Sequence, residues 1–469
     1  MFKKIKLEYI LLSIVLVVGF AVRLYKINSP IADWHSWRQA DTASVTRIFV
    51  ERGIDLLHPR YHDISSIQTG IENPEGYRMV EFPIYNAIHT VFFKFYPKLS
   101  LEVWGRLLTA LATTVTALYL YFIGKRLMGS AGGILAAFFF LFIPFNIYFS
   151  RVILPDPLGV TFATVSLWAF LKFSQDKKGS FFYVSALFFA LALLIKPYLG
   201  FFVFPIAYLA YKKVSFKKAS VYLTIAFVPF LLWRAWEGQY PEGIPFYTWA
   251  FNGDRIRFHP AFFRWIFGER IGYLILGTWG LIPFVYGIIG PKVKNQFVNV
   301  FLLGVLTYLT VVATANVRHD YYQILIIPAI ALAMSAGSVY LSKQGLISQV
   351  TLLLSVLVMF LVGWTNIREF YKINHPEILE AGEVVDELTP KDAWVIAPYN
   401  GDTAFLYATK RWGWPAVDSS IDNIIERGAD YYVSVDLGST DTTNFEKMFA
   451  TVKKTDKYII LDLHKRLRE

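Results

Sequence analysis

"FPIYNAIHTVFFKFY", residues 82–96, is the stretch on which the topology turns. It is apolar, but it is short and interrupted by polar residues. A helix needs about 20 mostly apolar residues to cross a bilayer. The segment is therefore predicted to lie along the membrane interface. The charge of the later loops tests this placement. "GKRLMG" (124–129), "KFSQDKKG" (172–179), "YKKVSFKKAS" (211–220) and "GPKVKNQ" (290–296) are dense in Lys and Arg, as is the start "MFKKIK". Short cytoplasmic loops carry that excess. All five share one side only if 82–96 does not span; if it did, every later loop would invert. The N-terminus is thus predicted inside. The loops 26–101 and 236–270 and the tail after 364 are predicted outside.

The chain has 469 residues, 55% hydrophobic and 17% charged. Soluble domains are less apolar and more charged. Apolar runs recur at 7–25, 103–124, 131–149, 157–173, 181–195, 198–211, 219–235, 271–289, 297–315, 322–341 and 346–364. They predict a polytopic α-helical membrane protein of about 11 spans. The first run is followed by more spans and by no small-residue cleavage site, so it reads as an uncleaved helix. Cysteine is absent, which excludes disulfides and thiol chemistry but leaves the compartment open. The net charge of +11 is accounted for by the loops and does not imply nucleic acid.

Composition changes near residue 372. "WVIAPY" (394–399), "DYYVSVD" (430–436) and "YIILDLH" (458–464) read as strands, with helices at 376–388 and 419–428. Alternating elements of this kind predict a small three-layer α/β domain with a parallel sheet. It lacks a G-x-G-x-x-G turn, so no nucleotide is assigned to it. Two domains are expected: a membrane domain, 1–371, and an outer α/β domain, 372–469.

The outer loops hold most of the polar groups that the charge rule leaves unexplained. In "WRQADTASVTRIF" (37–49), Ala40, Ala43, Val45, Ile48 and Phe49 suggest an interfacial helix. Asp41, Ser44 and Arg47 recur on its other side, where an ordinary solvated face is the plain alternative. Asp156 stands between two prolines at the start of a span, where it fits an N-cap, with Arg151 close enough in sequence to pair with it. Lys196 precedes Pro197 and Tyr198 at an outer turn, where snorkelling is the plain alternative. Arg255, Arg257 and Arg264 share a loop with Phe and Trp. Arg318, His319, Tyr321, Tyr322 and Gln323 open the tenth span; an aromatic belt explains the tyrosines but not Arg318 and His319. Gathered on one face, cations can hold a phosphate, Arg by paired hydrogen bonds and Lys as a point charge. A carboxylate can take a proton from an attacking hydroxyl. The chemistry that suits this set is group transfer from a lipid-linked phosphate to an alcohol. A membrane transporter or lipid flippase is the alternative. It calls for charged or broken helices near the midplane, and few acids or bases stand there.

The motif order adds a resemblance. "EFPIYNAIHTVFFKFY", "VWGRLLTALATTVTALYLYFIGKRLMG", "RVILPDPLGVTFATVSLWAFLKF", "LALLIKPYLGFFVFP" and "DYYQILIIPAIALAMSAG" follow one another after the first helix and its loop. Over roughly residues 1–345 this resembles the bacterial protein O-mannosyltransferase-like superfamily, GT-C-fold glycosyltransferases that include the lipid A aminoarabinose transferases. The resemblance implies a polyprenyl-phosphate sugar as donor, an acid of the first outer loop as base, and inversion at the sugar. The acid maps onto Asp41. The family often has an Asp-Glu pair where this chain reads "SWRQADT", which leaves Asp33 as the alternate. The second acid maps onto Asp156. Lys196, Arg318, His319, Tyr321 and Tyr322, with Arg255 and Arg257, become candidates for the donor phosphate. Trp37, Arg38, Gln39 and Glu81 become candidates for sugar or acceptor.

No cofactor is expected, because cations alone can hold a lipid monophosphate. His58 and His62 are spaced i, i+4, but Pro59 and the polar loop around them argue against a preformed zinc helix. The expected partners are the bilayer, the lipid-linked sugar, and an envelope glycolipid, polymer or protein as acceptor. The expected location is the inner or plasma membrane, with the C-terminal domain extracytoplasmic. Neither the sugar nor the acceptor is legible.

Overall fold

The computed structural model describes residues 6–211, 213–290 and 296–467. The basic start at 1–5, Lys212 and the loop residues 291–295 carry part of the charge argument and lie outside the described residues. The chain is mostly helical and sorts into two compact units. One comprises Met1–Ile27, Arg106–Trp233 and Tyr247–Phe370; the other comprises Asn28–Gly105, Arg234–Phe246 and Tyr371–Glu469. The second unit is thus larger than the segment 372–469 that composition delimits.

The first unit is a multi-pass membrane bundle. Six helices in the described chain are long and apolar enough to cross a bilayer: Leu7–Leu24, Leu101–Phe142, Asp156–Asp176, Phe216–Glu237, Asp320–Leu341 and Leu346–Tyr371. Leu101–Phe142 covers two of the expected segments, because Gly129 breaks it at φ 81°. Gly179–Ile195, Pro197–Ala210 and Gln296–Val311 are apolar but shorter. The expected segment 271–289 is divided between a π-helix, Arg264–Ile275, and an α-helix, Leu281–Ile289. Leu7, Ile14 and Val17 on the first helix, and Leu353, Leu357 and Leu361 on the last, are exposed and form a surface that lipid would cover. The helix Ile327–Leu341 is almost wholly buried among the others.

Lipid tails are as apolar as leucine, so close backbone approach and polar contacts must hold such helices together. Leu281–Ile289 and Ile327–Leu341 approach through glycines. A Cβ on Gly287 would meet the Ala333 carbonyl oxygen at 1.9 Å, and one on Gly337 the Pro283 carbonyl oxygen at 1.8 Å. Arg23, Arg106 and Arg151 are fully buried in this unit. Arg23 donates to the Leu141 carbonyl at 3.0 Å and to Ser150 at 2.6 Å. Arg106 donates to the Ile27 carbonyl at 3.0 Å and Arg151 to the Lys26 carbonyl at 2.9 Å. Carbonyls just past a helix end have no partner within the helix, and arginine side chains satisfy these.

The second unit is built on a five-stranded sheet. Its strands are β1 (Trp394–Ile396), β2 (Trp412–Trp414), β3 (Tyr431–Ser434), β4 (Phe449–Lys454) and β5 (Ile459–Arg466), in the order β2-β1-β3-β5-β4. The sheet is mixed, which corrects the parallel sheet expected from sequence. β1 runs parallel to β2 and β3, but β5 is antiparallel to both β3 and β4. The reason lies in the connections. β4 returns to β5 through a short turn closed by Thr455 N–H to the Tyr458 carbonyl at 2.9 Å, and a connection that short permits only antiparallel pairing. The edge strand β4 carries the exposed Lys453 and Lys454, which discourage further strand addition.

The outer loop after the first helix packs into this sheet. Gly413 N–H donates to the His62 carbonyl and Ile64 N–H to the Gly413 carbonyl, both at 3.0 Å. Ile64 sits in the same apolar core as Ile396, Trp414, Tyr432 and Leu461. Residues 82–96 contain the helix Ile84–Phe95. Twelve residues at ~1.5 Å each reach ~18 Å, well short of a ~30 Å hydrocarbon core. Its polar residues face inward: Asn86 donates to the Thr42 carbonyl at 2.7 Å, and His89 bonds the Leu101 carbonyl at 2.7 Å.

Two predictions follow from this packing. Gly337→Ala should destabilise the bundle by about 1–3 kcal/mol, read as a lower thermal midpoint of the purified protein. Gly179→Ala, where nothing lies within 4 Å of the added Cβ, should leave the midpoint unchanged. The second concerns Asp63, whose carboxyl is buried and pushed up from 3.8 to about 7 by loss of water, although Ser65 N–H donates to it. The folded carboxyl holds its proton better than the unfolded one. It favours the fold below pH ~4, and that stability is lost as pH rises through about 7. Asp63→Asn should therefore raise the thermal midpoint at pH 8 and flatten its fall between pH 5 and 8.

Candidate functional site

The helix Ser36–Arg52 follows His35 in the left-handed region at φ 56° and stops at Gly53, φ 98°. The plain alternative, a solvated face around Asp41 and Ser44, does not hold. Asp41, Thr42 and Ser44 are as buried as Ala40, Ala43 and Val45. Three elements surround it. The helix Ile84–Phe95 meets it through Asn86. The segment near His62 meets it through Ser44, whose hydroxyl bonds the imidazole and accepts from His62 N–H at 2.9 Å. The helix Thr403–Thr409 meets it through Thr403.

Asp41 is 1% exposed, and both of its oxygens are held. Arg78 Nη2 donates to Oδ2 at 2.5 Å, and the Thr403 hydroxyl donates to Oδ1 at 2.6 Å. Arg78 is fixed in turn by Gln68 at 2.6 Å. Beside this pair, Arg38 Nη2 donates to both oxygens of Glu81, at 2.7 and 2.8 Å. Arg38, Asp41, Thr42, Val45, Pro59, Arg78, Glu81, Pro83 and Asn86 line a narrow cleft. A carboxylate offers about four acceptor positions. Two of those on Asp41 are taken, so it retains capacity to accept another proton donor.

Other groups of the loop turn elsewhere. Gln39 donates to Asp33 at 2.7 Å, and Trp37 offers its backbone carbonyl to Thr403 at 3.2 Å. Trp37, Gln39 and Asp33 are not among the residues lining the cleft, whereas Arg38 and Glu81 are. His58 bonds Asp55 at 3.0 Å and Tyr240 at 3.0 Å, and His62 bonds Ser44, so the two histidines point to different partners. Burial pushes the His62 imidazole well below its ordinary value. Asp402 caps the helix Thr403–Thr409 through Ala404 N–H at 2.7 Å. Its carboxyl is raised to about 6, first by burial and further by the charge of Asp41.

The first unit brings together a second set. Pro197 disfavours helical backbone at Lys196, which is extended at φ −148°, ψ 102°. The ammonium lies 3.0 Å from Asp156 Oδ1, as an ion pair rather than an aligned hydrogen bond. Tyr322, Tyr321 and Tyr198 surround it at 5.1, 5.9 and 6.0 Å from their ring centres. Tyr321 and Tyr322 come from the short helix Asp320–Ile326, with His319 5.7 Å from Tyr321 between ring centres. Asp156 was expected to cap its helix and to have Arg151 as partner. It makes no capping bond and pairs with Lys196, while Arg151 serves the Lys26 carbonyl. Both charges are nearly free of solvent, where each needs the other more than a helix end needs a cap.

The remaining candidates are bonded apart from that cluster. Arg318 donates to Asp254 at 2.8 and 3.0 Å on the surface. Arg257 donates to the carbonyls of Phe251 and Val311, both at 3.1 Å. Arg255 is exposed and takes the left-handed turn position at φ 54°. Sequence reasoning missed Arg78, Thr403 and Tyr198. Tyr198 adjoins the "KP" that drew attention to Lys196, and Arg78 stands three residues before Glu81. Thr403, 362 residues from Asp41, carries no local signal.

With this geometry in hand, known proteins give it a context. The family described as dolichyl-phosphate-mannose-protein mannosyltransferase matches residues 83–236. No curated protein matches the chain. Among solved structures, ArnT from Cupriavidus metallidurans is 11% identical, with 97% of each chain covered. The TM-score is 0.66 for its apo state and 0.63 for the form bound to undecaprenyl phosphate. The archaeal oligosaccharyltransferase AglB from Archaeoglobus fulgidus, in complex with an inhibitory peptide and a dolichol-phosphate, is also 11% identical. The match covers 94% of this chain and 72% of that one, with a TM-score of 0.54. Identities this low speak for the fold. The chain is a multi-pass membrane protein with the GT-C fold of ArnT, and its residues 83–236 are similar to the mannosyltransferase family.

Proposed function

We propose that the protein is a membrane glycosyltransferase that moves a sugar from a polyprenyl-phosphate donor to a hydroxyl acceptor on the extracytoplasmic face. The observation that carries this reading is Asp41, a buried acid with both oxygens held, lining a cleft on the first outer helix of a GT-C fold. The ArnT and AglB structures that hold polyprenyl phosphates support the class of donor.

In this reading Asp41 is the general base. The acceptor oxygen attacks the anomeric carbon from the side opposite the phosphate, and its proton passes to the carboxylate. The bond from the anomeric carbon to the phosphate oxygen breaks, and the lipid phosphate leaves with the electron pair. One displacement inverts the configuration. Arg38 and Glu81, on the same cleft as Asp41, bind the incoming hydroxyl compound. The leaving group needs its negative charge stabilised more than it needs a proton. Lys196, with Tyr198, Tyr321 and Tyr322 around it, supplies a fixed charge and phenol donors for the phosphate, and Asp156 orients the ammonium. No metal is needed, because the donor carries a single phosphate, a diester, whose charge protein cations can meet. The acceptor is an envelope glycolipid, polymer or protein. The basic loops support an N-terminus in the cytoplasm and residues 372–469 outside.

The test is release of polyprenyl phosphate from lipid-linked sugars by the purified protein, with envelope fractions as acceptor. A positioned base contributes ~10²–10⁴-fold, so Asp41→Asn should lose turnover on that scale while still yielding folded protein. Turnover near that of the unaltered protein would remove Asp41 from the role. Chelation with EDTA should leave the rate unchanged.

A further inference from the structure

Asp41 and Thr403 stand 362 residues apart, yet the Thr403 hydroxyl donates to Asp41 Oδ1 at 2.6 Å. Threonine here is more than a filler. Its side chain is 95% buried, and its hydroxyl also lies 3.2 Å from the Trp37 carbonyl, at the start of the helix that bears Asp41. The helix Thr403–Thr409 is fastened to the same partner at its other end. Arg47 Nη1 donates to the Tyr407 carbonyl at 3.0 Å and its guanidinium stacks 3.7 Å from the Tyr407 ring centre. The Tyr407 hydroxyl donates to Glu102 at 2.6 Å. Asp402 caps the first turn. The position of Thr403 is therefore determined at both ends of a short helix.

We propose that Thr403 is a positioning residue for Asp41, delivered by the C-terminal segment to fix the carboxylate with its remaining lone pairs toward the cleft. This rests on Asp41 being the base. Two donors, Arg78 on Oδ2 and Thr403 on Oδ1, together fix the plane of the carboxylate. With Arg78 alone the group keeps one anchor and can rotate about it. A base misplaced by a fraction of an ångström loses rate even when the substrate still binds. Residues 371–469 then complete the acid site as well as forming a domain of their own.

The test uses the full-length protein and steady-state kinetics with a lipid-linked sugar donor. Thr403→Val keeps the shape and removes the hydroxyl; Thr403→Ser keeps the hydroxyl. A hydrogen bond to a charged group corresponds to about 10- to 100-fold. Thr403→Val should lower kcat by about that factor with KM for the donor unchanged, and Thr403→Ser should restore most of it. Tyr407→Phe loosens the far end of the same helix and keeps the Thr403 hydroxyl, so it should lower the thermal midpoint and lower kcat by less than Thr403→Val does. A Thr403→Val protein with unaltered kcat would overturn the proposal. So would a Thr403→Ser protein as slow as Thr403→Val, since the loss would then come from packing. If Asp41→Asn itself turns over normally, the reading of Asp41 as base fails first. If Asp41→Asn is inactive and Thr403→Val is normal, only the role of Thr403 fails.

Discussion

The Asp41–Arg78 ion pair is the contact around which the second unit is arranged. A carboxylate at 1% exposure persists only if its charge is met and its lone pairs are used. Arg78 meets the charge at 2.5 Å, and Gln68 keeps Arg78 from swinging away. Removing either partner would strand the other charge in a site without water. The middle of the helix Ser36–Arg52 is buried for the same reason. Polar groups there have protein partners in place of solvent: Asp41 has Thr403, Ser44 has His62, and the Thr42 carbonyl has Asn86.

The first unit applies the same rule at the membrane. Lys196 and Asp156 meet where a proline ends one helix and two prolines flank the start of another. Tyrosines around the ammonium provide π-faces that stabilise a cation without neutralising it. The buried arginines near the first helix each donate to a backbone carbonyl, and Arg151 also lies 5.5 Å from the Tyr148 ring centre. Lys196 instead faces a carboxylate and three rings, a setting that holds its charge in place.

Much of this was legible in the sequence. Apolar runs located the helices, because in lipid each backbone group must be satisfied within its own segment. The short, interrupted stretch 82–96 was identified as one that cannot cross. Lys196 stands out as a cation where the charge rule disfavours one, and Asp156 as an acid between two prolines at the start of a span. Their pairing with each other does not, since two side chains 40 residues apart meet only through tertiary packing. The short strand Trp412–Trp414 has too few residues for an alternating pattern, and β4 is polar along most of its length, so neither reads as a strand alone. The antiparallel return of β5 depended on recognising β4 first. Thr403 was beyond reach, because an isolated threonine after an aspartate looks like any helix start.

The mixed sheet has a consequence for how the protein is made. Ile64 and the His62 carbonyl belong to a core whose strands begin at Trp394. Roughly 330 residues separate Ile64 from Trp394, and ribosomes add ~5–20 residues per second. The early loop therefore waits tens of seconds before its partner strands exist. Through that interval Ile64 lacks the core that Trp414 and Tyr432 later supply, and Asp41 has Arg78 but not the Thr403 hydroxyl. Completion of this core is gated by the emergence of residues 394–466, however early the membrane helices insert.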